Sequence, residues 1–498
     1  MDLIMSILLN FVGVVGGIVF GAIPGMTATM AVAVFLPLTF SMDLNQGLAL
    51  LLGLYVGGIS GGLVPAILLN IPGTPSSITT TFDGYPMNNR REGERALKIC
   101  IISSLVGGLI SWLILWLFAP TLASFALEFT PVEKFLLIVF ALTVIVSLSK
   151  GGLIVGMFSG VLGVFMSLLG RHSSALGGNN QFRLLPEFLQ SPLESGFNLL
   201  PVLIGIFAIG QILIESELGL KNFCAISSFH LEGGGQKFSM KDFKGQIINL
   251  IRSSAIGTFI GILPGVGGSA ASILSYSQAK SFSKEPDKLG TGVPEGLVAS
   301  EASNNGLTGG ALIPLLSLGI PGDSTTAVLI GAFTLQGIAV GPTFIRSNPE
   351  TWNSIIAMLF VANIFMFFVM YFAIKPMSKL VCVPKQILYP IIVVMCAVGA
   401  YAIRYGVMFD IWTVIIFGII GYLFEKFGLK SAPFIIGFIL GKELEQNLLQ
   451  SLAYYNDWAI FFTKGPIAWV LWLFIIVSLG YALLDNYKDK MKNKSKTA

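Results

Sequence analysis

Charge is what this sequence has least of. Asp, Glu, Lys and Arg together make up 11% of its 498 residues, where a soluble domain carries about 25%. The chain therefore cannot clothe a water-facing surface of ordinary polarity. Histidine occurs twice, as His172 and His230, and the four cysteines, Cys100, Cys224, Cys382 and Cys396, are scattered. Both counts argue against a zinc cluster, a histidine base or a disulfide framework. No His-Glu-x-x-His and no phosphate-binding Gly-x-x-x-x-Gly-Lys-Ser/Thr occurs. The net charge of +4 is modest, and its basic residues sit in loops and in the tail Lys488–Lys496. No patch suits nucleic acid; the tail reads as a cytoplasmic anchor beside membrane lipid.

What is present is long apolar sequence. No charged side chain occurs from Leu3 to Met42 or from Leu44 to Phe82. Further such runs are Ile99–Leu127, Gly151–Gly170, Ser195–Ile214, Ser253–Ala279, Ser324–Ile345, Thr351–Ile374, Gln386–Ile403 and Gly465–Leu484. A spanning helix needs roughly 20 apolar residues, and in hydrocarbon the backbone must bond to itself, so these runs predict membrane helices. The alternation of barrel strands is absent. Met1–Phe20 lacks a basic n-region and its uncharged run continues, so it reads as the first membrane helix and not as a signal peptide.

The chain also repeats itself. Gly21-Ala22-Ile23-Pro24-Gly25 returns, 240 residues on, as Gly261-Ile262-Leu263-Pro264-Gly265. The stretch from Gly61 through Pro65 to Pro72-Gly73 returns, 249 residues on, from Gly310 through Pro314 to Pro321-Gly322. The nine extra residues fall between the motifs, where the charged stretch Lys280–Lys288 reads as an insertion. Pro201 and Gly205 match Pro433 and Gly437. We divide the chain into a first membrane repeat (1–220), a cytoplasmic linker (221–252), a second repeat (253–445), an extra transmembrane helix (465–484) and a basic cytoplasmic tail (485–498). Basic loops carrying Arg90, Arg91, Arg95, Lys98, Lys150, Lys221, Lys237, Lys241, Lys244, Arg252, Lys375, Lys379, Lys385, Lys426 and Lys430 belong inside by the positive-inside rule. The N-terminus then falls outside and the C-terminus in the cytoplasm, and the two copies run in opposite directions. Inverted repeats are a common construction of secondary transporters. The expected fold class is an all-α polytopic membrane protein of two inverted-topology repeats, plus one C-terminal helix.

Proline removes a helix donor, and glycine permits the unwound backbone that follows. Pro24-Gly25, Pro72-Gly73, Pro264-Gly265 and Pro321-Gly322 thus mark four helix breaks inside apolar sequence. Irregular backbone at membrane depth is tolerated where it is buried or lines a cavity, and paired interruptions point to a binding site. Small polar residues follow each break: Thr27 and Thr29; Thr74, Ser76 and Ser77; Gly267, Gly268 and Ser269; and Ser324, Thr325 and Thr326 after Asp323. At a half-helix N-terminus they would meet an anion, although Ser, Thr and Asp are also ordinary N-caps. Asn70 and Tyr85 complete the candidate solute-binding set. Asp323, Glu301, Asn304 and Asn305 are candidates for the coupling ion, since an acidic group at mid-membrane needs compensation. Alternative roles are a cap for Asp323, a loop end for Glu301 and helix packing for the asparagines. A bound Na⁺ would sit at these same motifs. Asp410 reads as a structural pair near Arg404.

At these motifs the sequence resembles the large membrane subunit of the tripartite tricarboxylate transporters, the TctA family. The residues that carry the resemblance are Gly21–Gly25, Asn70–Pro86, Gly261–Gly268 and Gly319–Thr326. The resemblance implies a bacterial inner-membrane permease that works with a small membrane subunit (TctB-like) and a periplasmic substrate-binding protein (TctC-like). It also implies carboxylate substrates and drive by an Na⁺ or H⁺ gradient, with no cofactor. Rivals are an anion channel or other uncoupled transporter, and an intramembrane enzyme. Gly322-Asp323 shares two residues with an aspartyl-protease motif, but no Tyr-Asp partner is present.

Overall fold

The computed structural model describes residues 2–147, 153–172, 181–183, 194, 196–217, 235–380, 383–403 and 407–497. The first half holds α1 (Asp2–Ala22), α2 (Ala28–Phe35), α3 (Leu44–Gly61), α4 (Leu63–Leu69), α5 (Ile78–Asn89), α6 (Gly93–Ala126), α7 (Pro131–Ser147) and α8 (Leu153–Ser167). A short antiparallel ribbon follows, β1 (Gly170–His172) with β2 (Gln181–Arg183). Next come α9 (Leu199–Ile204), a π turn (Gly205–Ile209) and α10 (Gly210–Glu217).

The second half holds α11 (Ile247–Ile262), α12 (Gly267–Phe282), α13 (Pro294–Leu318), α14 (Ser324–Leu335), α15 (Phe344–Ser347), α16 (Pro349–Phe372), α17 (Ile374–Leu380), α18 (Lys385–Ile403), α19 (Met408–Lys426), α20 (Ser431–Tyr455), α21 (Ile460–Thr463) and α22 (Pro466–Thr497). Among the described residues seven helices are long and apolar enough to cross a membrane. The protein is an all-α polytopic membrane protein, as its charge-free runs predict.

Glycine decides how the helices meet. A Cβ on Gly13, Gly17 or Gly21 of α1 would run into the backbone carbonyl of Leu50, Leu54 or Gly58 of α3. From the other side, one on Gly53, Gly57 or Gly61 would strike the carbonyls of Asn10, Val14 or Ile18. The second half makes the matching contacts between α11 and α13: Gly306 against the Ser254 carbonyl and Gly310 against that of Thr258. Lipid tails are as apolar as leucine, so helices in a bilayer gain by close backbone approach, and a side chain at these positions would prevent it. Of the seven candidate spans among the described residues, the one formed by α3 and α4 is the most enclosed, while α1 turns Leu3, Ile4, Leu8 and Val12 outward.

The halves interlock. Gly107 of α6 abuts the Ala302 carbonyl of α13, and the Asn10 side chain of α1 donates to the Met358 carbonyl of α16 at 3.3 Å. Farther out, Gly437 of α20 packs on Gly160 of α8, and Gly205 of the π turn packs on Val414 of α19. The outermost helix, α22, rests on α7 through Val132, Leu136, Ala468, Leu471 and Ile475.

Three helices run across the expected divisions. Helix α11 begins at Ile247, within the stretch 221–252. Helix α20 continues past 445 to Tyr455. Helix α22 runs unbroken from Pro466 to Thr497 through the stretch expected as a separate tail, since no Pro or Gly stops it after Gly480. The connection before α3 is Met42–Asp43, and the one before α13 is Ser283–Val293, which accounts for the insertion read from the offsets. Lys150, Lys221, Cys224, His230, Cys382 and Arg404 lie outside the described residues.

One prediction tests the close packing. Gly73→Ala and Gly322→Ala each place a methyl against the carbonyl of Gly21 or Gly261 respectively, so each should lower stability by about 1–3 kcal/mol. Gly480→Ala, which meets nothing within 4 Å, should be neutral. Melting of the detergent-purified variants distinguishes the two.

Candidate functional site

Each of the four Pro-Gly pairs interrupts the backbone. Helix α1 ends at Ala22, Gly25 takes φ +89°, and α2 restarts behind Thr27, whose hydroxyl accepts from the Met30 amide at 3.1 Å. Helix α4 ends on Asn70 in the left-handed region (φ 59°), and the Gly73 amide donates to the Gly62 carbonyl at 3.2 Å. A 3-10 turn, Pro75–Ser77, then leads into α5. In the second half α11 ends at Ile262, and Gly265 and Gly267 take φ +71° and +73° before α12. Helix α13 ends on Gly319 at φ +76°, and α14 restarts behind Asp323. The third and fourth breaks are joined directly, for the Gly265 amide donates to the Gly322 carbonyl at 2.8 Å.

The four restarts converge on one cavity of about 160 Å³. Its walls are Thr27 and Thr29, Thr74 and Ser76, Gly267 to Ser269, and Asp323 to Thr325, closed by Ile59 and Leu307. Two cross-half contacts stitch it together. Thr29 and Thr325 share a hydrogen bond at 2.8 Å, and Gly268 lies against Ser76 so closely that a Cβ there would sit 2.5 Å from the serine Cβ. Helix N-termini carry positive partial charge and free N–H groups. Neither Thr74 nor Val266 caps the helix it precedes with its side chain, so those amides remain available to an anion.

Asp323 is a cap as well as a wall. Its Oδ1 accepts from the amide and the hydroxyl of Thr326 at 2.7 and 2.8 Å, and its Oδ2 accepts from the Tyr55 hydroxyl at 2.8 Å. A second buried carboxyl, Glu301, lies in the middle of α13 and is fully enclosed. It accepts from Thr80 at 2.5 Å, Ser104 at 3.1 Å and Asn304 at 3.5 Å. Asn305 accepts from Ser60 at 2.7 Å.

On the far side of the first break the Glu215 carboxylate sits where a Gly25 side chain would be, paired with Lys385 at 2.6 Å. Asp83 of α5 clamps the loop before α13: its Oδ1 accepts from the amides of Gly290, Gly292 and Val293 at 3.0, 2.7 and 2.9 Å, and its Oδ2 from Tyr276 at 2.8 Å.

Comparison with known proteins settles the family. The model of the tripartite tricarboxylate transporter TctA family matches residues 7–436. The chain belongs to the TctA family. An uncharacterized 52.8 kDa protein in the TAR-I ttuC' 3' region of Agrobacterium vitis is 34% identical over 492 residues, 98% of this chain and 95% of that one. An uncharacterized protein in the TAR-II ttuC' 3' region of the same organism is 36% identical over 234 residues, covering 47% of this chain and 96% of its own. No solved structure matches. As a TctA-family chain the protein is a multi-pass membrane component of a tripartite transporter.

The residues singled out in this TctA-family sequence fall into groups. Thr27, Thr29, Thr74, Ser76, Gly267, Gly268, Ser269, Asp323, Ser324 and Thr325 line the shared cavity. Pro24, Gly25, Gly73, Pro264, Gly265, Pro321 and Gly322 form the breaks behind it. Ser77 bonds Thr74, and Thr326 bonds Asp323, so both serve the breaks from behind. Asn70, Pro72 and Tyr85 do not join them; they border a separate recess with Ile78, Thr81, Phe82, Pro86 and Gly290. Asn70 ends α4 in the left-handed region and belongs to that recess.

Tyr55, Ser60, Thr80, Ser104 and the pair Glu215–Lys385 were missed. Thr80 sits within the Asn70–Pro86 stretch and Ser60 borders Gly61, while the others lie away from the motifs; only the group each one meets would have called for it.

Tyr55→Phe leaves one Asp323 oxygen without its buried donor and should cost about 1–3 kcal/mol. Asp323→Asn keeps a good cap residue, and the Tyr55 hydroxyl can turn to accept from the amide, so it should melt near wild type. Thermal denaturation in detergent reads both.

Proposed function

We propose that this chain is the permease subunit of a binding-protein-dependent secondary transporter that imports tricarboxylates or related carboxylates by Na⁺ or H⁺ symport. The observation that carries this reading is the meeting of four broken helices at one polar cavity. Uncapped amides and hydroxyls there suit a carboxylate group, and the buried acidic groups nearby suit a cation or proton. We read the two halves as inverted copies: the paired contacts Gly73 to Gly21 and Gly322 to Gly261 support the duplication, and the basic loops support the opposite orientations. The partners are a small membrane subunit and a periplasmic binding protein. The chain sits in the bacterial inner membrane with its N-terminus outside and its C-terminus in the cytoplasm.

Energetics require coupling. Moving one charge through roughly 100 mV is worth about 2.3 kcal/mol, so a trivalent anion entering an inside-negative cell faces about 7 kcal/mol. Symport of enough cations to make the step electroneutral or net positive removes that barrier. The motion we envisage is an elevator-like shift of the break-bearing helices against the rest.

The test is uptake of radiolabelled citrate and a panel of dicarboxylates into vesicles holding the chain, its small subunit and its binding protein. Gly268→Val fills the cavity against Ser76, and Ser76→Ala removes one hydroxyl. At normal membrane levels uptake should fall at least about tenfold for the first, equivalent to about 1.4 kcal/mol, and less for the second. Uptake that survives both substitutions, or collapse of both ion gradients, would sink this reading.

A further inference from the structure

Glu301 has no exposed surface, and among the described residues no Lys or Arg forms an ion pair with it. Its donors are two hydroxyls and an amide: Thr80 from α5, Ser104 from α6 and Asn304 from one turn along its own helix. A charge buried with neutral partners alone is strongly penalised. The other ionisable groups around it are engaged or uncharged. Cys100, one turn before Ser104 on α6, is a buried free thiol. On α5, Asp83 is held by Tyr276 of α12 and by loop amides. On α3, Tyr55 is bound to Asp323 at the start of α14. On α11, Arg252 lies over the Phe282 ring at 4.8 Å and donates to Asn249.

A second, independent observation concerns Asn304. Its Oδ1 is buried without a hydrogen-bond partner. That oxygen lies 3.5 Å from where a Cβ on Gly268 would be, and Gly268 lines the cavity. Asn304 therefore spans the gap between the carboxyl and the cavity. Its amide offers a donor to the ionised carboxylate, and its free oxygen is the acceptor that the protonated carboxyl needs. A half-turn of one side chain satisfies either form.

Resting on the symport reading above, we propose that Glu301 is the residue that carries the coupling proton, exchanged with the cavity by way of Asn304. A proton from water on one side adds to a carboxylate oxygen to give the neutral acid, and it returns to water on the other side. No electron moves and no other covalent bond of the protein changes. Sodium fits less well, because Thr80, Ser104 and the Asn304 amide all lie at hydrogen-bond distance from the carboxyl, a donor set that suits a carboxyl changing its proton.

The test compares wild type with Glu301→Gln in vesicles holding the complete transporter, under a proton gradient, under a sodium gradient, and in solute–solute exchange with neither. Glutamine imitates the neutral acid. Accumulation driven by the proton gradient should fall at least tenfold, while exchange persists and no longer responds to pH. Glu301→Asp should recover part of the accumulation. Ser104→Ala, which removes one donor from the carboxylate, should move the pH midpoint of uptake upward, a shift that a merely structural role would not give. Proton-driven accumulation retained in Glu301→Gln overturns the proposal. So does accumulation driven by the sodium gradient in wild type that Glu301→Gln retains. If exchange is lost together with accumulation and Ser104→Ala leaves the midpoint in place, the role is structural and the proposal fails. Wild type that only equilibrates the solute, at the same rate with or without either gradient, would overturn the symport reading itself, a distinct result.

Discussion

A backbone amide in hydrocarbon has no water to turn to, and that constraint governs this protein wherever a helix is broken at membrane depth. Each freed amide must find an acceptor, inside the chain or in a cavity that a ligand or water can enter. The Gly73 amide reaches the Gly62 carbonyl, and the Gly265 amide reaches the Gly322 carbonyl in the neighbouring break. Such bonds form only where backbones can touch. Hence the glycines at Gly21, Gly61, Gly261 and Gly310, which admit the facing helix without a side chain between. The close helix pairs and the broken helices are one solution: the first supplies the packed walls that the second require.

Polarity inside this core follows the same logic. Asp323 caps a helix and takes a third donor from Tyr55. Asp83 accepts four hydrogen bonds and fixes the loop that carries the insertion. Glu301 accepts from neutral donors alone and has beside it an amide oxygen with nothing to accept from. Two carboxyls are thus occupied by backbone duties. The third, Glu301, is held in a way that serves either protonation state, which is why it is the group proposed to carry the proton.

Much of this was legible beforehand. Charge-free runs gave the helices, since nothing else survives in lipid without charge or water. The matched Pro-Gly pairs gave the four breaks, because proline and glycine act on the backbone they occupy. What sequence offered poorly was depth and direction. Asn70 belongs to the same motif as Thr74, yet it ends a helix in the left-handed region and faces another recess with Tyr85. Tyr55 and Ser104 look like ordinary residues of apolar helices; their importance comes from partners 268 and 197 residues away. Charge alone did not mark where the last helix ends, because a charged stretch with no Pro or Gly, as at 485–497, continues as helix.

The proposed function depends on the four breaks forming one solute site. Single cysteines placed at Thr27, Ser76, Ser269 and Thr325 can be labelled with a small membrane-permeant thiol reagent, with and without the transported carboxylate. Common protection is the predicted result: solute should slow labelling at all four positions over the same concentration range, and leave a cysteine at Tyr85 unaffected. Protection confined to Tyr85, or absent from all four, would contradict it.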